Sequence, residues 1–408
     1  MRLNKIIRLS IYFLIFFSLI YFENLSIGSI KLTLVWKIPF LIYIIIYLLT
    51  PGGKKSNVNF SKPAIILGVQ KNLNLGFLYS MDSIVQFIKG VNLFLFTKFF
   101  ISNSSFSAGR IRYYLIMISI FIIVSFIPFQ LNLIEPLSTG IDTETFGASS
   151  GIIGIFNTAH NAAITLSLSI FCLIYFIKIF DYNTKILITT IISYGIFLML
   201  FTYTRTGLVA LLGSCVLYFY SINKGVKIYR FVLLTVLICI PIIFIINSSE
   251  SLKNKILDKR DNNSEVDFNS VGSGRLYMWS INIYNWYEGT IDEKIFGVGR
   301  EKALEMMNVK IGRPFFSHNE FVDILLRHGL LGLFLYLLYL YNIYRFIIKK
   351  TGGTKYFPLS VLLAYIIINI FQGGHFFIYE VMFALIMAYA YKFNIQRKKM
   401  ILQCQKKY

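Results

Sequence analysis

The chain has 408 residues, of which 56% are hydrophobic and 14% charged, against roughly 25% charged in an average soluble domain. That balance excludes a soluble globular fold and puts the chain in lipid, where only helices or closed barrels satisfy the backbone. The formal charge of +21 would suit nucleic acid, but its placement argues against it. About 29 of the 40 basic residues lie outside 248–328, against about 7 of the 19 acidic ones, and they gather in short connections between apolar runs.

Those runs are continuous and lack the alternation of a barrel, and about 20 apolar residues cross a hydrocarbon core of about 30 Å as a helix. They predict an all-α integral membrane protein, one polytopic domain over 1–408. Helices are expected near 6–22, 32–50, 64–80, 83–101, 113–129, 153–177, 186–203, 207–222, 231–247, 321–347, 356–372 and 375–391. Gln70, Lys71, Asn72 and Lys89 interrupt the third and fourth. Removing both leaves the charge pattern intact, so ten crossings is the alternative to twelve. The first run has a basic start (Arg2, Lys5, Arg8) but only Glu23-Asn24 after it, a poor cleavage site, and reads as an uncleaved anchor.

Short basic connections mark the cytoplasmic side of spanning helices. Arg110 and Arg112, Lys178 and Lys185, Lys224 to Arg230, and Lys349 to Lys355 all fall on one side, with both termini and the basic tail 392–408. Segments 130–150 and 247–317 are then outside. Cys172, Cys215 and Cys239 fall in predicted spans and Cys404 in the tail, so neither outside loop can hold a disulfide.

The smaller outside loop carries Glu135, Asp142 and Glu144 and runs into a helix start with Asn157, His160 and Asn161. Next along the chain, Arg205 sits between two apolar runs at the outer edge. It is either a snorkelling interfacial residue or a guanidinium fork that binds phosphate bidentately. The larger loop opens with a turn-rich section, 248–274. An aromatic helix from Arg275 follows, lying along the membrane surface, with Tyr277, Trp279, Tyr284, Trp286 and Tyr287 suited either to sugar stacking or to an interfacial belt. Gly297-Val298-Gly299 makes a tight turn, 301–308 a short amphipathic helix, and Gly312-Arg313-Pro314 returns the chain to the membrane.

At the loop's end Ser317-His318-Asn319-Glu320 opens a long apolar helix, in which Asp323 and Arg327 are spaced to pair on one face. An imidazole with an ordinary pKa near 6.5 suits acid-base work. The alternative is a capping cluster, with Ser317 as the cap and Glu320 as its first-turn partner. Arg275, Arg300 and Arg313 supply further forks that, with Arg205, would neutralise a lipid-linked diphosphate. The four histidines are scattered and without cysteine neighbours, so neither a metal nor a cofactor is expected.

Three elements together resemble a known family: Gly154 to Asn161 opening a span, Thr202 to Leu211 at the next outside junction, and Phe296 to Gly299 followed by Ser317 to Gly332 with its Gly329-Leu-Leu-Gly332 close. This pattern, over roughly residues 150–345, is similar to that of bacterial O-antigen polymerases and ligases, and more like the polymerases. The resemblance implies a multispanning inner-membrane protein with a large periplasmic loop. It also implies an inverting, metal-independent glycosyl transfer from undecaprenyl-diphosphate-linked glycan, with a chain-length regulator as a partner in the same membrane. By position it assigns Arg205 and Arg275 to the diphosphate and His318 to the acceptor side. Arg300, Arg313, Asn319, Glu320 and His160 complete the expected substrate-binding set. Many relatives have Asn-Pro-Asn where this chain has Thr158-Ala159-His160-Asn161, which leaves that segment's role open. A ligase acting on lipid A core is the alternative activity. A flippase without covalent chemistry is a third reading, disfavoured by the absence of the inverted repeats that many transporters carry.

Overall fold

The computed structural model describes residues 26–27, 30–31, 42–50, 81–133, 152–156, 158–202, 204–222, 275–311, 316–373 and 377–405. The expected helices near 6–22, 64–80 and 231–247, the loop segment 248–274, and Arg313 lie outside the described residues, as does most of 130–150. A two-residue antiparallel ladder pairs β1 (Ser26–Ile27) with β2 (Ile30–Lys31). Residues 42–49 are helical. The remaining regular structure among the described residues is helical as expected: α1 (Met81–Ser102), α2 (Ala108–Val124), α3 (Ile127–Gln130), α4 (Ala159–Phe176), α5 (Tyr182–Phe201), α6 (Arg205–Ile222), α7 (Arg275–Glu288), α8 (Ile291–Phe296), α9 (Arg300–Ile311), α10 (Glu320–Lys350), α11 (Tyr356–Phe371) and α12 (Phe377–Gln405). Among the described residues five stretches are long and apolar enough to cross a membrane: 108–130, 159–179, 182–201, 320–350 and 352–371.

Side-chain caps set several starts. Ser107 accepts from the Arg110 amide and begins α2 five residues before the apolar run. Thr158 accepts from the Asn161 amide, so α4 begins at Ala159 rather than near 153. Residues 152–156 instead form a turn around Gly154, whose φ of +60° suits glycine and whose α-carbon lies against the Phe126 ring. Asp181 caps α5 and Thr290 forms a capping box with Glu293 on α8. The expected tail is not a separate element: α12 runs on to Gln405, through residues free of Gly and Pro and rich in good helix formers.

Helix α4 is the most buried of the candidate spans and packs against α2, α5 and α6. Its polar residues are silenced internally, Thr165, Ser167 and Ser169 each donating to a carbonyl of their own helix. This is how a hydroxyl is tolerated in a dry interior. At the end of α4 Tyr175 stacks on Phe357 with centroids 3.7 Å apart, and Phe176 meets Tyr389 edge-on. Lys392 on α12 donates to the carbonyls of Asn103 and Phe106 in the turn between α1 and α2. Asn394 reaches the Lys350 carbonyl. These contacts gather the basic connections, Arg110 to Arg112, Lys178 to Lys185 and Lys349 to Lys355, at one end of the bundle.

The register of the remaining helices defines the opposite end. A side chain at Gly207 would sit 2.7 Å from the Ala163 β-carbon, so the opening turns of α6 and α4 lie side by side. Helix α11 runs antiparallel to α6: Gly213 faces Ile367 and Leu363, and the Ser214 hydroxyl reaches the Ser360 carbonyl at 3.2 Å. The end of α11 therefore meets the start of α6.

The run expected as one helix over 321–347 is broken. Gly329 has φ +65° and ψ −168° inside α10, a conformation open in practice only to glycine. The Phe321 ring lies 5.4 Å from that of Tyr336, although fifteen residues of straight helix would separate them by about 22 Å. Residues 320–328 therefore fold back on the long segment that follows. The latter still has the length to span a bilayer. A helix break frees the carbonyls before it. Val298 and Gly299 take two of them, donating to the Leu326 and Arg327 oxygens at 3.0 Å each. Gly297 and Gly299 have positive φ, and a side chain at Gly297 would strike the Arg327–His328 peptide. Gly329 in turn lies against the Ile295 carbonyl. The turn between α8 and α9 is thus latched, backbone to backbone, onto the fold-back.

Gly329→Ala should lower the unfolding midpoint in detergent, since strain of about 1–3 kcal/mol adds to the clash with Ile295. Gly109→Ala, where an added methyl meets nothing within 4 Å, should leave the midpoint unchanged or raise it. Thermal unfolding followed by fluorescence checks both.

Candidate functional site

The loop helices bring their own small core, Met278 and Ile281 of α7 against Met307 and Ile311 of α9. They are held to the membrane bundle by polar bonds. Arg275, the first residue of α7, donates from Nη1 to the Phe371 carbonyl at 2.6 Å and from Nη2 to Gln372 Oε1 at 3.3 Å. One turn on, Trp279 Nε1 donates to the Ser317 carbonyl at 2.8 Å, and Trp286 Nε1 donates to the Lys294 carbonyl at 3.1 Å. The aromatic group thereby divides. Trp279 fastens α7 to the segment before α10 and Trp286 ties α7 to α8, whereas Tyr277, Tyr284 and Tyr287 are exposed.

His318 follows at the foot of α10. Its backbone has φ +57°, uncommon for a residue with a β-carbon. Gly373, also at positive φ, lets its backbone come close, a β-carbon there falling 3.3 Å from the His318 carbonyl carbon. His318 Nδ1 lies 3.3 Å from the Gln372 carbonyl. A neutral ring in that position carries its proton on Nδ1 and presents Nε2 as the acceptor. Burial lowers the His318 pKa first, and the Arg275 charge lowers it further against the opposing bond to Gln372. At neutral pH the imidazole is therefore an uncharged base.

His160 lies in the opening turn of α4 within the electrostatic reach of both Arg275 and His318. Its Nδ1 is buried without a hydrogen-bond partner among the described residues. Arg205, half-buried, begins α6 beside that turn. Four expected residues, His160, Arg205, Arg275 and His318, thus share the end of the bundle opposite the basic connections. The Arg300 guanidinium lies over the Phe316 ring at 5.7 Å, as that of Arg327 does at 4.9 Å.

The segment before α10 departs from its expected local bonding. Asn319, not Ser317, is the cap: its Oδ1 accepts from the amides of Phe321 and Val322. Glu320 is buried and lies 3.7 Å from Arg327 Nη2. Arg327 donates from Nε to the Asp323 backbone carbonyl, whereas the Asp323 carboxylate turns toward the loop. Its Oδ1 accepts from the Ser317 amide at 3.0 Å, the Ser317 hydroxyl at 2.7 Å and Asn282 Nδ2 at 3.1 Å.

Sequence reasoning missed Gln372 and the carboxylate of Asp323. The signal for the first was the polar break Gln372-Gly373-Gly374 between two apolar runs. For the second there was none, because Asn282 lies forty-one positions away from its partner.

Residues 187–337 match the family model described as O-antigen ligase. That segment is similar to the O-antigen polymerase and ligase superfamily. Its members are glycosyl-transfer enzymes that act on lipid-linked glycans in O-antigen synthesis. The match contains Arg205, Arg275 and His318; His160 and Gln372 lie beyond it. No curated protein matches the chain.

Arg275→Gln should let the His318 pKa rise toward the ordinary value of about 6.5, because the guanidinium charge that depresses it is gone. Arg275→Lys should keep it low. The pH dependence of His318 acylation by diethylpyrocarbonate, read peptide by peptide in a mass spectrometer, measures both.

Proposed function

We propose that the protein is an O-antigen polymerase that joins undecaprenyl-diphosphate-linked repeat units on the periplasmic side of the bacterial inner membrane. The observation that carries this reading is an uncharged histidine beside the Arg275 charge, at the same end of the bundle as Arg205 and remote from the basic connections. Positive connections mark the cytoplasmic side, so the site would face outward, where nucleotide sugars are absent and lipid-linked donors are available.

In the proposed reaction the acceptor hydroxyl attacks C1 of the donor sugar from the face opposite the diphosphate. The new C1–O bond forms as the old one breaks, with inversion. His318 Nε2 receives the hydroxyl proton, and the electron pair of the broken bond leaves on the diphosphate. Arg205 and Arg275 neutralise that leaving group, a role that a planar fork fills better than an ammonium. Such a donor is already activated, so orientation and charge stabilisation supply most of the rate. His160 would line the same site. Arg300 and Arg313, both in the loop, would meet the glycan or its carrier, whereas Asn319 as helix cap and Glu320 beside Arg327 would shape the segment that carries His318. A chain-length regulator in the same membrane is the expected partner.

The family description favours a second reading, a ligase that moves the finished chain onto lipid A core. The glycan length profile of a deletion strain separates the two. Core capped with a single repeat unit supports the polymerase. Long lipid-linked polymer with none on the core supports the ligase, and repeat units held on the cytoplasmic face would point to a flippase instead.

Arg205→Ala and His318→Ala should abolish chain extension while protein levels in the membrane stay unchanged, the histidine alone contributing about 10²–10⁴-fold. Wild-type chain lengths in His318→Ala would remove it from the mechanism. Because only the neutral imidazole accepts a proton, the rate should hold above neutral pH. It should fall only as pH drops through a pKa below the ordinary imidazole range.

A further inference from the structure

We propose that Asp323 is a positioning residue that sets the place of His318 relative to Arg275, an inference that rests on the reading of those two residues above. Ser317, directly before His318, is held on three sides. Its amide and hydroxyl both donate to Asp323 Oδ1, at 3.0 and 2.7 Å, and its carbonyl accepts from Trp279 Nε1 at 2.8 Å. The same carboxylate oxygen takes Asn282 Nδ2 at 3.1 Å. Trp279 and Asn282 belong to α7, the helix that Arg275 opens. Arg275 is bonded to Phe371 and Gln372, and the Gln372 carbonyl faces His318.

These bonds close a ring. From Arg275 it passes through Gln372 to His318, along the backbone to Ser317, across Asp323 and Asn282 to α7, and back to Arg275. Two side chains join the α7 half of the ring to the α10 half, Trp279 at the Ser317 carbonyl and Asp323 through Asn282, and Asp323 is buried. Charge-assisted bonds of this kind are about twice as strong as neutral ones. A left-handed residue such as His318 keeps its conformation only where the surroundings over-determine it. Without the carboxylate, Ser317 loses both of the bonds that it donates to Asp323, and α7 keeps only the Trp279 bond to the Ser317 carbonyl as its side-chain tie to that segment. The imidazole is then free to move relative to the guanidinium while the rest of the bundle is untouched.

The test uses the full-length protein in detergent and does not depend on activity. Diethylpyrocarbonate acylation is followed on the separate peptides of His318, His160 and His328 by mass spectrometry. Asp323→Ala should raise the His318 rate roughly ten-fold, as expected for loss of about 1.4 kcal/mol of hydrogen bonding, and leave the other two unchanged. Asp323→Asn keeps an acceptor oxygen and should stay near wild type. If Asp323→Ala is not recovered, Asn282→Ala removes one of the three donors and should raise His318 selectively by a smaller factor. An equal rise at all three histidines would mean general loosening and would overturn the proposal, as would no change at His318. The result is separable from that of the catalytic reading. If His318→Ala retains chain extension, the mechanism fails, yet the acylation pattern still decides whether Asp323 positions the ring.

Discussion

The structure turns on a backbone approach that only glycine permits. Where Gly329 breaks α10, the carbonyls of Leu326 and Arg327 accept from Val298 and Gly299, and Gly297 lies against the facing peptide. A side chain at either glycine would push the two strands of backbone apart. Because residues 320–328 fold back, His318 and Glu320 are tied to a segment that packs beside the bundle instead of extending from its tip. The loop helices are thereby docked by main-chain bonds before any side chain contributes.

On this frame charge is sorted by end. One end of the bundle collects lysines and arginines in short turns, where Lys392 is spent on two backbone carbonyls and burial lowers its pKa to about 8. At the other end Arg275 is fixed by a carbonyl and an amide, and Arg205 stands in the first turn of a packed helix. A fixed cation beside a low-pKa histidine makes a site that attracts an anion and keeps its base uncharged, since the field that draws phosphate also repels a proton from the imidazole.

Much of this was legible in the sequence, for physical reasons that can be named. The continuous apolar runs located α2, α4, α5, α6 and α11 because a helix long enough to cross a membrane cannot hide its composition. Thr158 and Ser107 then moved two starts by several residues, since a cap is a local bond that hydropathy does not register. The pairing of Asp323 with Arg327 followed from helical spacing. It failed at the carboxylate because a longer-range partner, Asn282, competed for it. The fold-back at Gly329 was masked by continuous hydrophobicity on both sides. Only the glycine itself marked it, and a glycine in an apolar helix is common enough to carry little information. His318 and His160 were found by residue type and position at helix starts; Gln372 needed three dimensions.

The acceptors that hold Arg275 and His318 are consecutive main-chain oxygens, those of Phe371 and Gln372, at the end of α11. A helix leaves its last carbonyls without internal donors, and here two such orphans serve as fixed anchors. No exchange of the side chain at 371 can delete its oxygen, and at 372 only the weaker contact to the Gln amide is exposed to mutation. The geometry between cation and base is therefore written into where a helix stops.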